Sequence, residues 1–349
     1  MDSINVLIVD DSAFMRKLLS EFLSEDPAIR VVGSARNGRD ALRKVKMLAP
    51  DVVTLDVELP DINGIDVLRS IMKEEPLPVV MVSNFTQRGA KTTLDAMAIG
   101  AVDVVAKPSG VISPDLHLVK EELLVKVKTA ASANIKGQVA TIQASGKTTS
   151  KPVLQAKDGM RLIAIGASTG GPRALQTVIG GLPDNLPAPV VVVQHLPPLF
   201  TTTLAERLNG LTPLTVKEAE HGEILQNGTV YIAPGGYHMK LKNNDRMLTV
   251  VLEDSAPVHG LKPAFDSLLE SLAGMEGLSL VLAVLTGMGN DGARGLSRFN
   301  SEYSPYAIAE SAETAVVFGM PKAAIGTGRI HAVLPLPDIA QAIANHFHI

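Results

Sequence analysis

Residues 161–175 read RLIAIGASTGGPRAL: an apolar run, a tight glycine turn, then a helix-forming stretch. A strand that passes through glycines into a helix is the opening half of a βα unit, and the alternation continues on both sides. Downstream, the apolar runs Val190–Val193, Val230–Ala233 and Leu278–Leu285 are separated by helical stretches such as Pro263–Leu272. A hairpin is expected within Tyr231–Val251, with Asn243-Asn244 in its turn. Upstream, Asn5–Val9, Val31–Ala35, Val52–Leu55, Val79–Val82 and Val102–Ala106 read as strands. Between them, Phe14, Leu18, Leu19 and Phe22 share one helical face, and Leu116, Val119, Leu123 and Val127 share another.

Residues 134–158, NIKGQVATIQASGKTTSKPVLQAKD, lose this periodicity and are dominated by Ser, Thr, Lys, Gly and Gln, so they read as a flexible linker. The expected fold class is therefore α/β, with two doubly wound parallel-sheet domains, the second carrying a β-hairpin. The boundaries are 1–125 for the first domain, 126–157 for the end of its last helix and the linker, and 158–349 for the second.

The chain has 349 residues, enough for two cores, with a formal net charge of −4 and no run of Lys and Arg. No nucleic-acid footprint is indicated. The absence of cysteine excludes disulfides, thiolate metal sites and a cysteine nucleophile. The start, MDSINVLIVDDS, puts aspartates straight after a short apolar run, which is wrong for a signal peptide. No segment approaches the roughly 18 apolar residues of a membrane span, so a soluble, cytoplasmic protein is expected.

Ligands of open parallel sheets bind beyond the carboxyl ends of the strands. Asp10 and Asp11 follow the first strand, Asp56 the third, Ser83 the fourth and Lys107 the fifth, so all five converge on one edge. Crowded carboxylates favour a hard divalent cation, and oxygen donors suit Mg²⁺. A lysine and a hydroxyl beside them suit an added phosphoryl group.

These residues carry a resemblance. VLIVDDSAFMRK, PDVVTLDVELPDINGIDVL, VVMVSN and GAVDVVAKP resemble a response-regulator receiver domain over about residues 1–125, a flavodoxin-like fold. The resemblance implies Asp56 as phosphoacceptor, Mg²⁺ held by Asp10, Asp11, Asp56 and the backbone carbonyl of Glu58, and phosphoryl contacts from Ser83 and Lys107. One position departs from the pattern: Val104 stands where receivers usually carry an aromatic.

In the second half, Gly166-x-Ser168-x-Gly170 has the spacing of a nucleophile turn. A serine needs a base, and the base an orienting acid. His195 follows Pro189–Gln194, and Asp291 lies in Gly287-Met288-Gly289-Asn290-Asp291-Gly292 after Leu278–Thr286, so all three stand at strand ends. The glycine turn alone fits nucleotide binding equally well, and His238 is the competing base. A dinucleotide-dependent reductase and a receiver with a DNA-binding output are the rival readings. The second half contains no Tyr-x-x-x-Lys pair and no recognisable helix-turn-helix.

A second resemblance weighs against both. IGASTGGPRAL, VVVVQHLPP, YIAPGGYHM, LTGMGNDGA and VVFGMPKAA are similar to the catalytic domain of the chemotaxis protein-glutamate methylesterases. It implies Ser168 as nucleophile, His195 as base, Asp291 as orienting acid, and backbone oxyanion donors at Met288 and Thr169. It implies no cofactor in this domain. The substrate implied is methylated glutamate on methyl-accepting chemoreceptors, with glutamine deamidation as a related activity, and the phosphodonor a chemotaxis histidine kinase. The fusion leads us to expect a receiver that partly blocks the catalytic cleft until Asp56 is phosphorylated. Ser304-Pro305-Tyr306 stands where relatives tend to have a glycine-rich turn.

Overall fold

A computed structural model describes residues 3–84, 86–107, 116–135, 159–300 and 303–348, the side chains of 87 and 88 aside. The expected linker lies almost entirely outside these residues. Contacts divide the chain into two units, Met1–Gln138 and Val139–Ile349.

The first unit runs β1 (Ile4–Val9), α1 (Ala13–Ser24), β2 (Ile29–Ala35), α2 (Gly38–Leu48), β3 (Val52–Asp56), α3 (Gly64–Glu74), β4 (Val79–Ser83), α4 (Gln87–Ile99), β5 (Asp103–Ala106) and α5 (Leu116–Ala131). Its parallel sheet has the order β2-β1-β3-β4-β5, the flavodoxin-like arrangement. The central strands are buried throughout, as strands covered by helices on both faces must be. Helix α1 starts where the Ser12 hydroxyl accepts the Met15 N–H at 3.3 Å. Its buried face is Met15, Leu18, Leu19, Phe22 and Leu23; Phe14, expected on that face, is exposed. Phe14 and Met15 are adjacent, and the wider apolar stripe turns the second inward.

The second unit runs β6 (Met160–Ala167), α6 (Gly171–Gly180), β7 (Val190–Gln194), α7 (Phe200–Asn209), β8 (Thr215–Glu218) and β9 (Thr229–Ile232). The hairpin strands β10 (His238–Asn244) and β11 (Met247–Glu253) follow, then α8 (Phe265–Leu272), β12 (Leu278–Val284) and α9 (Ala293–Leu296). The unit closes with β13 (Tyr306–Glu310), α10 (Met320–Gly326), β14 (Ala332–Leu334) and α11 (Leu336–His346). Seven parallel strands form one sheet in the order β14-β13-β12-β6-β7-β9-β8, and the hairpin stands as a separate two-stranded ribbon. The hairpin turn falls two residues later than expected. Asn244 pairs with Met247, and Asp245 and Arg246 take φ of 50° and 67°, as a tight two-residue turn requires.

Chain order runs outward from β6 through β7 on one side and from β12 through β13 and β14 on the other. The switch point of this sheet therefore lies between β6 and β12, where a crevice opens at the carboxyl ends. Among the described residues, no helix is long and apolar enough to cross a membrane.

Candidate functional site

In the second unit, Ser168 follows β6, His195 follows β7 and Asp291 stands on the turn after β12. Ala167 and Gln194 are register partners on adjacent strands, so Ser168 and His195 are the next residues along that ladder. The His195 N–H donates to the Ala167 carbonyl at 3.2 Å, and the Ser168 N–H donates to the Thr286 carbonyl at 3.0 Å. The left-handed turn falls on Gly170, at φ 78°, and not on the serine. Ser168 thus follows its strand without the backbone strain that a sharper nucleophile turn imposes.

The His195 imidazole meets Asp291, with Nε2 2.7 Å from Oδ2. Nε2 beside a carboxylate carries the proton, which leaves Nδ1 as the basic nitrogen. Nδ1 is buried and has no hydrogen-bond partner among the described residues, and the Ser168 hydroxyl has none either. His238, the competing base, is buried at the start of β10 with Nε2 3.1 Å from the Ala256 carbonyl.

Asp291 is itself buried, which opposes its charge, yet its carboxyl lies below the ordinary range. The His195 ring and two backbone amides outweigh the burial. Those amides belong to the first turn of α8: Phe265 N–H reaches Oδ2 at 2.6 Å and Asp266 N–H reaches Oδ1 at 2.8 Å. A helix N-terminus favours an anion placed there.

The turn between β12 and Asp291 packs tightly on the serine. A Cβ on Gly287 would sit 2.8 Å from Ser168 Cβ and 2.4 Å from Met320 Sδ, so only glycine fits. The Gly287 carbonyl accepts from Gly319 and Met320 N–H at 3.1 and 2.8 Å. Met288, the next residue, has an exposed side chain, and Thr169 is buried beside the serine.

Four residues escaped the sequence reading. Gln194, buried, donates from its amide to the Ser168 carbonyl at 3.0 Å. The Thr286 hydroxyl donates to the Thr169 carbonyl at 2.9 Å and accepts the Val317 N–H at 2.9 Å. Glu310, at the end of β13, accepts the Thr286 N–H at 2.8 Å and the Thr314 hydroxyl at 3.0 Å. Burial pushes its carboxyl up to about 7 against those two hydrogen bonds. The fourth, Asp266, accepts N–H groups of Gly292 and Gly295 at 2.9 and 2.7 Å. Gln194 and Thr286 lie inside recognised stretches, but only position marks them. Asp266 looks in sequence like an ordinary acidic residue in a first helical turn.

The first unit gathers its expected residues as well. One carboxylate oxygen each of Asp10, Asp11 and Asp56 lies within 4.8 Å of the others, with Asp10 and Asp56 buried and Asp11 exposed. This all-oxygen, anionic set fits a hard cation such as Mg²⁺. The Lys107 ammonium stands 2.6 Å from Asp56 Oδ2 and 3.0 Å from Asp10 Oδ2. Burial pushes the Asp56 carboxyl up to about 6; Lys107 opposes the rise and Asp10 adds to it. Burial works to lower the Lys107 ammonium, but Asp56 and Asp10 overcome it and hold its pKa above the ordinary value. Ser83 is buried at the end of β4. Glu58 offers its N–H to Asp56 Oδ1 at 3.2 Å. Val104 is buried, and its carbonyl accepts from Lys126 at 2.5 Å, which also pairs with Asp103 at 3.1 Å and Glu122 at 2.7 Å.

Residues 163–343 match the CheB methylesterase model, and residues 6–113 match the response regulator receiver domain. The chain belongs to the CheB methylesterase family. It is 52% identical to a protein-glutamate methylesterase/protein-glutamine glutaminase of Geobacillus kaustophilus, over 99% of both chains. It is 46% identical to the protein of the same name in Bacillus subtilis, over 98% of both. The CheB methylesterase catalytic domain of Thermotoga maritima superposes with a TM-score of 0.52 at 43% identity, covering 54% of this chain and 99% of that one.

Proposed function

We propose that this chain is a phosphorylation-regulated protein-glutamate methylesterase that also deamidates glutamine, acting on methyl-accepting chemoreceptors. The observation that carries the reading is the 2.7 Å pair of His195 and Asp291, set one ladder step from Ser168. Relatives named protein-glutamate methylesterase/protein-glutamine glutaminase, matched over nearly their whole length, support it.

Ser168 Oγ attacks the ester carbonyl carbon, and His195 Nδ1 takes the hydroxyl proton. Asp291 stabilises the imidazolium that forms. The tetrahedral oxyanion is met by the backbone N–H groups of Thr169 and Met288, each such donor worth about 3–4 kcal/mol in the transition state. Collapse expels methanol, which leaves with the proton returned from Nδ1. Water then attacks the acyl-enzyme with Nδ1 again as base, and the glutamate carboxylate is released. An amide follows the same course with ammonia as the leaving group. Relative to the usual triad, the two imidazole nitrogens exchange roles.

In the receiver, Asp56 accepts the phosphoryl group from a histidine kinase, and Asp10, Asp11, Asp56 and the Glu58 carbonyl would hold Mg²⁺. Bound there, the cation would supply charge neutralisation to the phosphoryl group. Lys107 and Ser83 contact the phosphoryl group once it is attached. Phosphorylation adds about −1.5 to −2 charges. That change raises the rate of the hydrolase half. Methanol release from methylated receptors, with and without a small-molecule phosphodonor and Mg²⁺, tests the assignment. Release that rises with the donor is expected, and no release under either condition would refute it.

A further inference from the structure

Asp291 does not hold its own position. It sits on a short turn between two glycines that adopt φ of 80° and 95°, Gly289 and Gly292, where the backbone has few intrinsic constraints. What fixes that turn is a second buried carboxylate. Asp266 Oδ1 accepts the N–H of Gly292, the peptide immediately after Asp291, and the N–H of Gly295. In return the Asp266 N–H donates to Asp291 Oδ1. The two aspartates therefore clamp each other: each carboxylate is held by backbone N–H groups of the other's segment. The remaining oxygen of Asp266 faces His259 Nε2 at 3.0 Å and Arg294 Nε at 3.7 Å, the latter also paired with Glu270 at 3.0 Å. His259 holds φ 53°, a conformation uncommon for a residue with a Cβ, while making this contact.

We propose that Asp266 is the positioning residue of the hydrolase site. Its carboxylate orients the Asp291 turn and thereby the His195 imidazole, without touching the substrate. The inference rests on the reading of Ser168, His195 and Asp291 as the reacting set. The acceptor capacity of Asp266 is what matters, more than its charge. Asp266→Asn keeps one oxygen toward the Gly292 and Gly295 amides and turns its NH₂ toward His259, which accepts it in the other tautomer. Asp266→Ala leaves both amides without an acceptor and frees the turn.

The test uses the full chain and two readouts. The first is the low-field NMR proton of the His195 Nε2–Asp291 hydrogen bond, recorded without substrate. The second is the division of any rate loss between kcat and KM in methanol release with phosphodonor and Mg²⁺. For Asp266→Ala we expect the resonance to move upfield or vanish and kcat to fall about 10²-fold at unchanged KM, the cost of a misplaced reacting group. Asp266→Asn should restore both. If Asp266→Ala does not fold, Asp266→Ser takes its place, since one hydroxyl reaches at most one of the two amides; the same changes are expected in smaller measure. An alanine or serine variant with unchanged resonance and kcat overturns the proposal. So does an asparagine variant as impaired as the alanine one. Because the resonance needs no ester, a wild-type chain that released no methanol would remove the assigned substrate while leaving the clamp open to trial.

Discussion

Asp56 and Asp291 occupy equivalent places, each buried at the carboxyl edge of a parallel sheet, yet their electrostatics run in opposite directions. Asp56 has one ammonium, one weak backbone N–H and a carboxylate neighbour, so burial prevails and its carboxyl is pushed up to about 6. Asp291 has an imidazole and two backbone N–H donors at 2.6 and 2.8 Å, and it lies below the ordinary carboxylate range despite its burial. A sheet edge supplies a location; the number of donors aimed at the carboxylate decides what that location is for. Asp291 is already satisfied and works as a fixed anion, whereas Asp56 is short of positive charge and suited to take on a cation and a phosphoryl group.

The largest effect separating the two comes from Ser168→Ala, which should cost about 10⁶-fold in methanol release, as loss of the nucleophile does in serine hydrolases. Phosphoryl uptake by Asp56 from a small donor should stay unchanged; a parallel loss would mean that the clusters do not act as separate sites. Next, Asp291→Asn places an amide where His195 needs an acceptor, and should lower kcat about 10⁴-fold. A variant that kept most of its rate would remove Asp291 from the mechanism.

The receiver side gives a smaller, titratable effect. Because folding raises the Asp56 carboxyl from its usual 3.8 to about 6, this group's contribution to stability is present on the acid side and lost as pH rises through about 6. NMR titration of the metal-free chain should place Asp56 near 6, and Mg²⁺ should lower it. A pKa indifferent to Mg²⁺ would contradict the cation site. Asp56→Asn should abolish stimulation by the phosphodonor and leave the unstimulated rate intact.

The smallest expected effect concerns Glu310, whose carboxyl is raised from 4.5 to about 7. The sign is the same: its contribution is full below about 4.5 and lost as pH rises through about 7, on the order of 3 kcal/mol across the range. Thermal unfolding of Glu310→Gln should therefore decline less between pH 5 and 8 than that of the wild type. Identical slopes would show that Glu310 does not titrate there.

Most of the site-bearing strands were legible because continuous Val, Ile and Leu runs mark strands buried on both faces, as in Val190–Gln194 and Leu278–Val284. β8, with the sequence TVKE, and the three-residue β14 at the other edge carry no such run and were not read. Asp10, Asp56, Ser83, Lys107, Ser168, His195 and Asp291 were legible as a cluster because each ends a readable strand, directly follows one, or stands in a glycine turn after one. Asp266, Thr286, Gln194 and Glu310 were not. Their importance lies in hydrogen bonds to backbone groups distant in sequence, such as the 117 positions between Thr286 and Thr169, and no spacing rule encodes those.

The pairing of Ala167 with Gln194 has one further consequence. Ser168 and His195 take their separation from the rungs of a central ladder, a ruler that neighbouring loops do not stretch. Lengthening the segments after Gly170 or Pro197 should therefore reshape what the enzyme grips while leaving the distance between hydroxyl and imidazole as it was.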